Sequence, residues 1–348
     1  MNKSTKILLA LLAIATIGYY LISKQPWRTA NRKADDFAIK DTNLVTKIFM
    51  VNKRAERVLL QRETNNSWTV NGKYLVDEQK IKLLLSTLHD MEIQHPVSPS
   101  MHNTAISILA SRGIKTEVYE GDELVKIIYI GSETPDQTGT FMMLEGDDDA
   151  YAIHIPGFIG YLTPRFFLTE IKWRSKLVFN YAPNEISQLQ IDYVKTPKES
   201  FTYLLDMYNT NPYLLDSKGE PFLADTQQVK LLLHSFSQKY VEGFYDDSTF
   251  TIDERDSLYK RKAYGSIRLK DNKGKETYLL LFEKPIGDKT KDRYDENGNE
   301  LEIDPEKFFV RISGIDQIAS VQEYVFRSIL IKKSTLALKN VGEPFIKH

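Results

Sequence analysis

Apolar residues recur along this chain with two different periods. Between Tyr74 and His89 they fall at Ile81, Leu84, Leu85 and Leu88, and between Phe222 and Ser237 at Val229, Leu232, Leu233 and Phe236. A spacing of i, i+3, i+4, i+7 marks one face of an α-helix. The two stretches are also copies of one another: Asp77, Gln79, Lys82 and the triplet Leu83, Leu84, Leu85 return as Asp225, Gln227, Lys230 and Leu231, Leu232, Leu233. Repetition at a fixed spacing signals a duplicated architecture. Each copy opens on an aspartate able to accept hydrogen bonds from the unpaired amides of a first helical turn, and Asp225 with Gln228 has capping-box spacing. Lys82 and Lys230 lie off the apolar face and are expected in water.

Around these helices the period shortens. Leu44 to Val51, Arg57 to Gln61 and a run around Trp68 and Val70 are short apolar stretches, the last ending at Asn71-Gly72, and they predict antiparallel strands joined by tight turns. Pro96 and Pro99 stop helix propagation. A second helix is predicted over Asn103 to Arg112, with Gly113 as a left-handed C-cap. Ile114 to Tyr119 and Leu124 to Ile130 flank Glu120-Gly121-Asp122 as one hairpin, and Phe141 to Leu144 and Ala150 to Ile155 flank Glu145 to Asp149 as another.

The order repeats in the second half with a drifting offset. Ile186 to Tyr193 reads as its first strand, Gly265 answers Gly113, and Thr277 to Phe282 answers Leu124 to Tyr129. Phe309 to Ile312 answers Tyr151 to His154, and Arg327-Ser328 answers Arg174-Ser175. The polar segment Gly287 to Lys307 is the largest difference, since the first half has a compact hairpin in its place. The expected fold class is therefore α+β: two tandem repeated units, each of antiparallel sheet layers with one main amphipathic helix, behind one N-terminal transmembrane helix. The boundaries are an anchor over 1–23, a tether over 24–43, repeat units over 44–182 and 183–332, and a weakly ordered tail over 333–348.

The anchor rests on 17 uncharged, mostly apolar residues from Ile7 to Ser23, at the short end of what spans a bilayer core of about 30 Å. Tyr19 and Tyr20 near its end and Trp27 just beyond it are placed as at a membrane interface. A cleaved signal peptide is the rival, but Thr16-Ile17-Gly18 is a poor cleavage site and Ala13-Ile14-Ala15 leaves a very short apolar region. Lys24, Arg28, Arg32 and Lys33 outnumber Lys3 and Lys6, which argues for the bulk inside. The short basic N-terminus resembles an export signal, and the bulk is expected outside the cytoplasm.

Composition removes several classes of function. The 46 Lys and Arg balance 47 Asp and Glu, so no general attraction to nucleic acid is expected. There is no cysteine, which excludes disulfides, thiolate metal sites and a cysteine nucleophile. Asp295, Asn297, Asn299 and Glu306 occupy positions 1, 3, 5 and 12 of a calcium loop, but Glu300 stands where the loop needs glycine, so an Asn297-Gly298 turn is expected instead. Asp147, Asp148 and Asp149 suit a solvated hairpin tip. His89, His95 and His102 are too widely spaced for a zinc pair, and His154 alternates with apolar residues on a strand. No phosphate loop, nucleophile elbow or metalloprotease helix is present. Accordingly no catalytic, cofactor-binding or metal-binding residue is assigned, and no cofactor is expected. Tyr161, Phe166, Phe167, Trp173, Phe179 and Tyr181 cluster near the junction of the halves and are read as packing residues.

Several of these stretches, in order, resemble a known family. Arg57-Val-Leu-Leu-Gln-Arg62, the tryptophan strand Ser67-Trp-Thr-Val70, the aspartate-started helix with its leucine triplet, Ile127-Ile-Tyr-Ile-Gly131 and Tyr151-Ala-Ile153 are similar to a bacterial domain of unknown function, number 4340 of its series. The likeness covers about residues 44 to 195, and is looser in the second copy, where no tryptophan strand is evident. The resemblance implies a membrane-anchored envelope protein, often in tandem copies and encoded beside ABC transporters of the gliding-motility type. It implies no catalytic residues.

The expected function is a non-catalytic envelope subunit serving as a binding platform for a membrane complex, of the ABC-exporter type. It would be a single-pass protein of the bacterial inner membrane, contacting the bilayer through residues 7–23, with its bulk on the periplasmic or extracytoplasmic side. The alternative is a ligand-binding or hydrolytic protein acting on envelope glycan, lipid or peptide in a groove between the units.

Overall fold

A computed structural model describes residues 36–205, 212–287 and 290–338 of the chain. The expected anchor at 7–23, the tether as far as residue 35 and the tail beyond residue 338 lie outside the described residues. Among those described, no helix is long and apolar enough to cross a membrane. The chain divides between Ser175 and Lys176 into two compact units.

The first unit is built on nine antiparallel strands: β1 (Val45–Asn52), β2 (Arg57–Arg62), β3 (Trp68–Val70), β4 (Tyr74–Leu75), β5 (Glu92–Pro96), β6 (Ile114–Glu120), β7 (Glu123–Glu133), β8 (Thr140–Leu144) and β9 (Tyr151–His154). Their order across the sheet is β4-β3-β2-β1-β6-β7-β8-β9-β5. The hairpin turns fall where the sequence places them, with Asn71 at φ 53°, Gly72 at 64° and Gly121 at 57°.

Helix α1 (Glu78–Asp90) lies between β4 and β5 in the chain and α2 (Pro99–Arg112) between β5 and β6. Asp77 caps α1, accepting from the amides of Gln79 and Lys80. The predicted face is the buried one: Ile81, Leu84 and Leu88 pack with Ile48, Met50, Leu60, Ile128 and Met142, and Leu85 is half-buried against them. Lys82 points into solvent and pairs with Glu78 at 2.5 Å.

The opposite face of the sheet is covered by α2, whose Ala105 and Leu109 pack with Phe141 and Ala150. Because side chains alternate along a strand, Ile128 and Ile130 serve one core while Tyr129 between them serves the other.

Three expectations change here. Helix α2 begins at Pro99 rather than Asn103, consistent with proline being tolerated in a first turn. Gly113 is not left-handed, with φ −62°. It is needed for closeness instead, because a Cβ there would lie 2.2 Å from the carbonyl oxygen of Leu109. The stretch expected as tether is packed at its end: Phe37 and Ile39 are buried, and the Lys126 ammonium donates to the carbonyls of Asp36 and Ala38.

The second unit starts with β10 (Leu177–Phe179) and then repeats the scheme through β11 (Ile186–Tyr193), β12 (Phe201–Leu205), β13 (Pro212–Asp216) and β14 (Pro221–Phe222). Helix α3 (Thr226–His234), β15 (Lys239–Tyr240), β16 (Gly243–Phe244) and α4 (Ile252–Tyr259) follow, then β17 (Gly265–Asp271), β18 (Glu276–Pro285), β19 (Ile303–Ile312) and β20 (Ala319–Gln322).

The nine-stranded order is β14-β13-β12-β11-β17-β18-β19-β20-β16, strand for strand that of the first unit. Even an irregularity is repeated: the β1–β6 register slips between Val45 and Lys47, and the β11–β17 register between Ile186 and Gln188. A bulge of this kind bends and twists a strand, so both sheets turn at the same point. β10 and β15 form a separate two-stranded pair.

In α3, Asp225 accepts from the amides of Gln227 and Gln228, and Val229, Leu232 and Leu233 are buried, as is Phe236 just past its end. The capping box is incomplete, because the Asp225 amide donates instead to the carbonyl of Leu336 at 2.8 Å.

Topology corrects the finer matching of the halves. β19, containing Phe309 to Ile312, occupies the place of β8, and β20 that of β9. The tryptophan strand has a counterpart in β13 without the tryptophan: Leu214 pairs with Phe222 as Val70 pairs with Tyr74. Arg174-Ser175 is answered not by Arg327-Ser328 but by Ala337-Leu338. Val76 bridges Arg174 and Ala224 bridges Ala337, while the Asp77 amide donates to Trp173 as that of Asp225 does to Leu336. Residues 333–338, expected as tail, therefore close the second unit, with Leu336 buried in its core.

Candidate functional site

The segment Gly287 to Lys307 lengthens the β18–β19 connection of the second unit, where the first has the short turn from Thr134 to Gly139 between β7 and β8. At the root of this extension the ends of β18, β19 and β20 and the residues around β16 enclose a polar cleft of about 500 Å³. Its walls carry Glu242 and Tyr245, Lys284, Thr290 and Lys291, Asp304, Glu306 and Lys307, and Gln322.

Two ion pairs organise it. The Asp304 side chain, 2% exposed, receives the Lys284 ammonium at 2.7 Å, the Thr290 hydroxyl at 3.3 Å and the amide of Glu306 at 3.0 Å. Glu242 receives Lys307 at 2.6 Å and the Ser320 hydroxyl at 2.9 Å.

Burial pushes the Glu242 carboxyl up, but the hydrogen bonds from Lys307 and Ser320, with the charge of Lys307, outweigh it and hold the group below its ordinary value. The hydrogen bond to Glu242 raises Lys307 against its own desolvation. Both groups are thus moved away from neutral pH and keep their charges there. The side chains of Lys291 and Glu306 are exposed and make no hydrogen bond or ion pair among the described residues.

Tyr245 is held from behind by edge-on contact with Phe309, ring centres 5.6 Å apart, and by Phe250 at 5.8 Å. Phe309 in turn packs with Leu258 of α4, so the outer core fixes the cleft's one aromatic wall.

A different concavity lies on the first unit. Val51, Lys115, Tyr129 and Met143 stand in one cross-strand row and form the floor of an open, largely apolar slot of about 420 Å³, walled by Ile106, Leu109 and Ala110 of α2. Lys115 pairs with Glu117 at 2.8 Å. The hydrogen bond to Glu145, with burial, pushes the Tyr129 hydroxyl up to about 12.

The residues weighed from sequence fall elsewhere. Asp295 accepts from the amides of Asn297 and Asn299 and from the Asn299 side chain, around Gly298 at φ 82°, so its carboxylate closes a turn. His89 contacts Asp90 at the end of α1, His95 donates to the carbonyl of Pro96 on β5, and His102 lies on α2. Among the described residues no group of three or more histidine and acidic side chains is placed to hold a metal ion. Phe166 and Trp173 belong to the core of the first unit, and Phe179 and Tyr181 to that of the second.

Glu242, Lys284, Asp304 and Lys307 were not singled out by sequence. The one signal was the polar segment itself, whose borders supply two of the four. A family profile described as "Domain of unknown function (DUF4340)" matches residues 68–256. No curated protein and no solved structure matches the chain.

Proposed function

The chain belongs to the DUF4340 family, a domain of unknown function, and from that premise we propose that it is a non-catalytic, membrane-anchored envelope subunit that binds its target through the second unit. In this reading residues 7–23 hold it in the bacterial inner membrane, the bulk stands on the periplasmic or extracytoplasmic side, and it serves as accessory subunit or binding platform of an ABC-type exporter.

The cleft of the second unit is the observation that carries the binding role. A general acid or base works best with a pKa near the operating pH, whereas Glu242 is lowered and Lys307 raised. Such groups present constant charge to whatever enters, which serves recognition. The uncharged stretch from Ile7 to Ser23 supports the anchor, and the similarity to proteins encoded beside ABC transporters supports the partner class.

Amine-reactive cross-linking in native membranes, followed by purification of the full chain in mild detergent, tests the proposal. The expected product is a defined adduct with a polytopic transport subunit. A chain recovered only as a partnerless monomer would overturn it.

A further inference from the structure

The composition of the cleft narrows what it binds. Its lining carries Lys284, Lys291 and Lys307 against Glu242, Asp304 and Glu306, and four of these six are locked in pairs. Local charge is therefore balanced, and a ligand with net charge of either sign gains no net field from entering.

Ionised donors and acceptors nevertheless form strong, charge-assisted hydrogen bonds. A hydroxyl group, which donates once and accepts twice, can use both kinds. Gln322, which also bonds to Glu242, and the remaining lone pair of the Thr290 hydroxyl add neutral partners, and Tyr245 with the aliphatic stems of the lysines offers apolar contact to a carbon skeleton. The volume lies within the roughly 300 to 1,000 Å³ typical of small-ligand sites.

We infer that the cleft of the second unit is a binding site for a neutral, polyhydroxylated ligand, a stretch of uncharged glycan, held without being cleaved. The inference rests on the cleft being a recognition surface, as proposed above.

The test uses the full chain in phospholipid nanodiscs, titrated with two neutral tetrasaccharides (chitotetraose and maltotetraose), an acidic one (tetragalacturonate) and tetraglycine as a zwitterionic peptide, with binding read by saturation-transfer NMR. Saturable binding of a neutral tetrasaccharide is expected. Lys291→Met and Gln322→Leu, both at exposed positions, should each weaken it about tenfold, the equivalent of one charge-assisted or polar contact. Lys53→Met on the first unit should leave it unchanged.

Failure of both neutral probes to bind, tighter binding of the acidic or peptide probe, or indifference to Lys291→Met and Gln322→Leu would overturn the glycan assignment. A photo-cross-linking residue at position 291 separates the two levels. If it captures a transport subunit while no tetrasaccharide binds, the recognition surface stands and the glycan is removed.

Discussion

The same row of positions across the two sheets has been given opposite chemistry. In the first unit the row is Val51, Lys115, Tyr129 and Met143, the floor of an open apolar slot. Strand pairing places Asp192, Ser266, Leu280 and Arg311 at the equivalent positions of the second. There Asp192 accepts from Ser266 and Gln190, and the Arg311 guanidinium lies 4.5 Å from the centre of the Tyr259 ring of α4.

The inner sides of the two sheets are alike: Ile48, Val118 and Ile128 in one unit, and Leu189, Leu269 and Leu279 in the other, are all fully buried. What the helix-facing side of the sheet must exclude is water, and only apolar residues do that cheaply. The outer side carries only a small second core, under α2 in one unit and α4 in the other, and around it and at the strand ends the copies diverge.

The equivalence of the inner cores can be broken most forcefully at Leu84 and Leu232. Leu84→Ala and Leu232→Ala should each destabilise the full chain by about 2 to 5 kcal/mol in urea unfolding. A cost below about 1 kcal/mol at either would show that the two helices are not doing the same job.

The divergence at the strand ends is sharpest at the Lys284–Asp304 pair. Asp304→Leu strands a mostly buried ammonium and should cost about 3 kcal/mol. The double variant Lys284→Met with Asp304→Leu should recover most of that loss, a pattern that a merely steric defect at position 304 would not give.

Smaller and again symmetrical effects are expected at the caps: Asp77→Ala and Asp225→Ala should each lower stability by about 1 kcal/mol, read as a shift in thermal midpoint. Smallest is the acid limb. Hydrogen bonds from Thr134 and Thr138 hold Asp136 down to about 2, and those from Ser248 and Thr249 do the same for Asp246. A depressed carboxyl stabilises fully above its unfolded value, near 4, and the benefit is lost as pH falls towards 2. Asp136→Asn and Asp246→Asn should therefore each flatten the loss of stability between about pH 4 and pH 2. A titration curve unchanged by both would count against these turns.

The main helices, their caps and the hairpins of the first unit were legible because each is specified locally, by a 3.6-residue period, an aspartate, or a Gly-containing turn. Matching the later strands of the two halves was not. Phe309 to Ile312 and Tyr151 to His154 are both short, mostly apolar stretches, and such a stretch carries too little information to tell β8 from β9. Only pairing across the sheet decides it, as when Leu281 finds Val310.

Gly113 was misread for a related reason. Left-handed backbone and close approach both call for glycine, and the sequence cannot distinguish them. The cleft was invisible because Glu242 and Lys307 are 65 residues apart in the chain, and they meet only because β16 lies beside β20 and β20 beside β19.

One repeated contact bears on how the chain comes to be made. In each unit the amide of the aspartate that starts the main helix is satisfied by a carbonyl near the unit's own end, Trp173 in the first and Leu336 in the second. The ribosome therefore delivers the helix long before it delivers the acceptor that seals it. A nascent unit must hold its helix against an unfinished sheet until its last residues emerge, and the first unit can be sealed while the second is still being synthesised. A chain halted just before Leu336 would carry one finished unit and one still open, the form in which a protease or a chaperone would meet it.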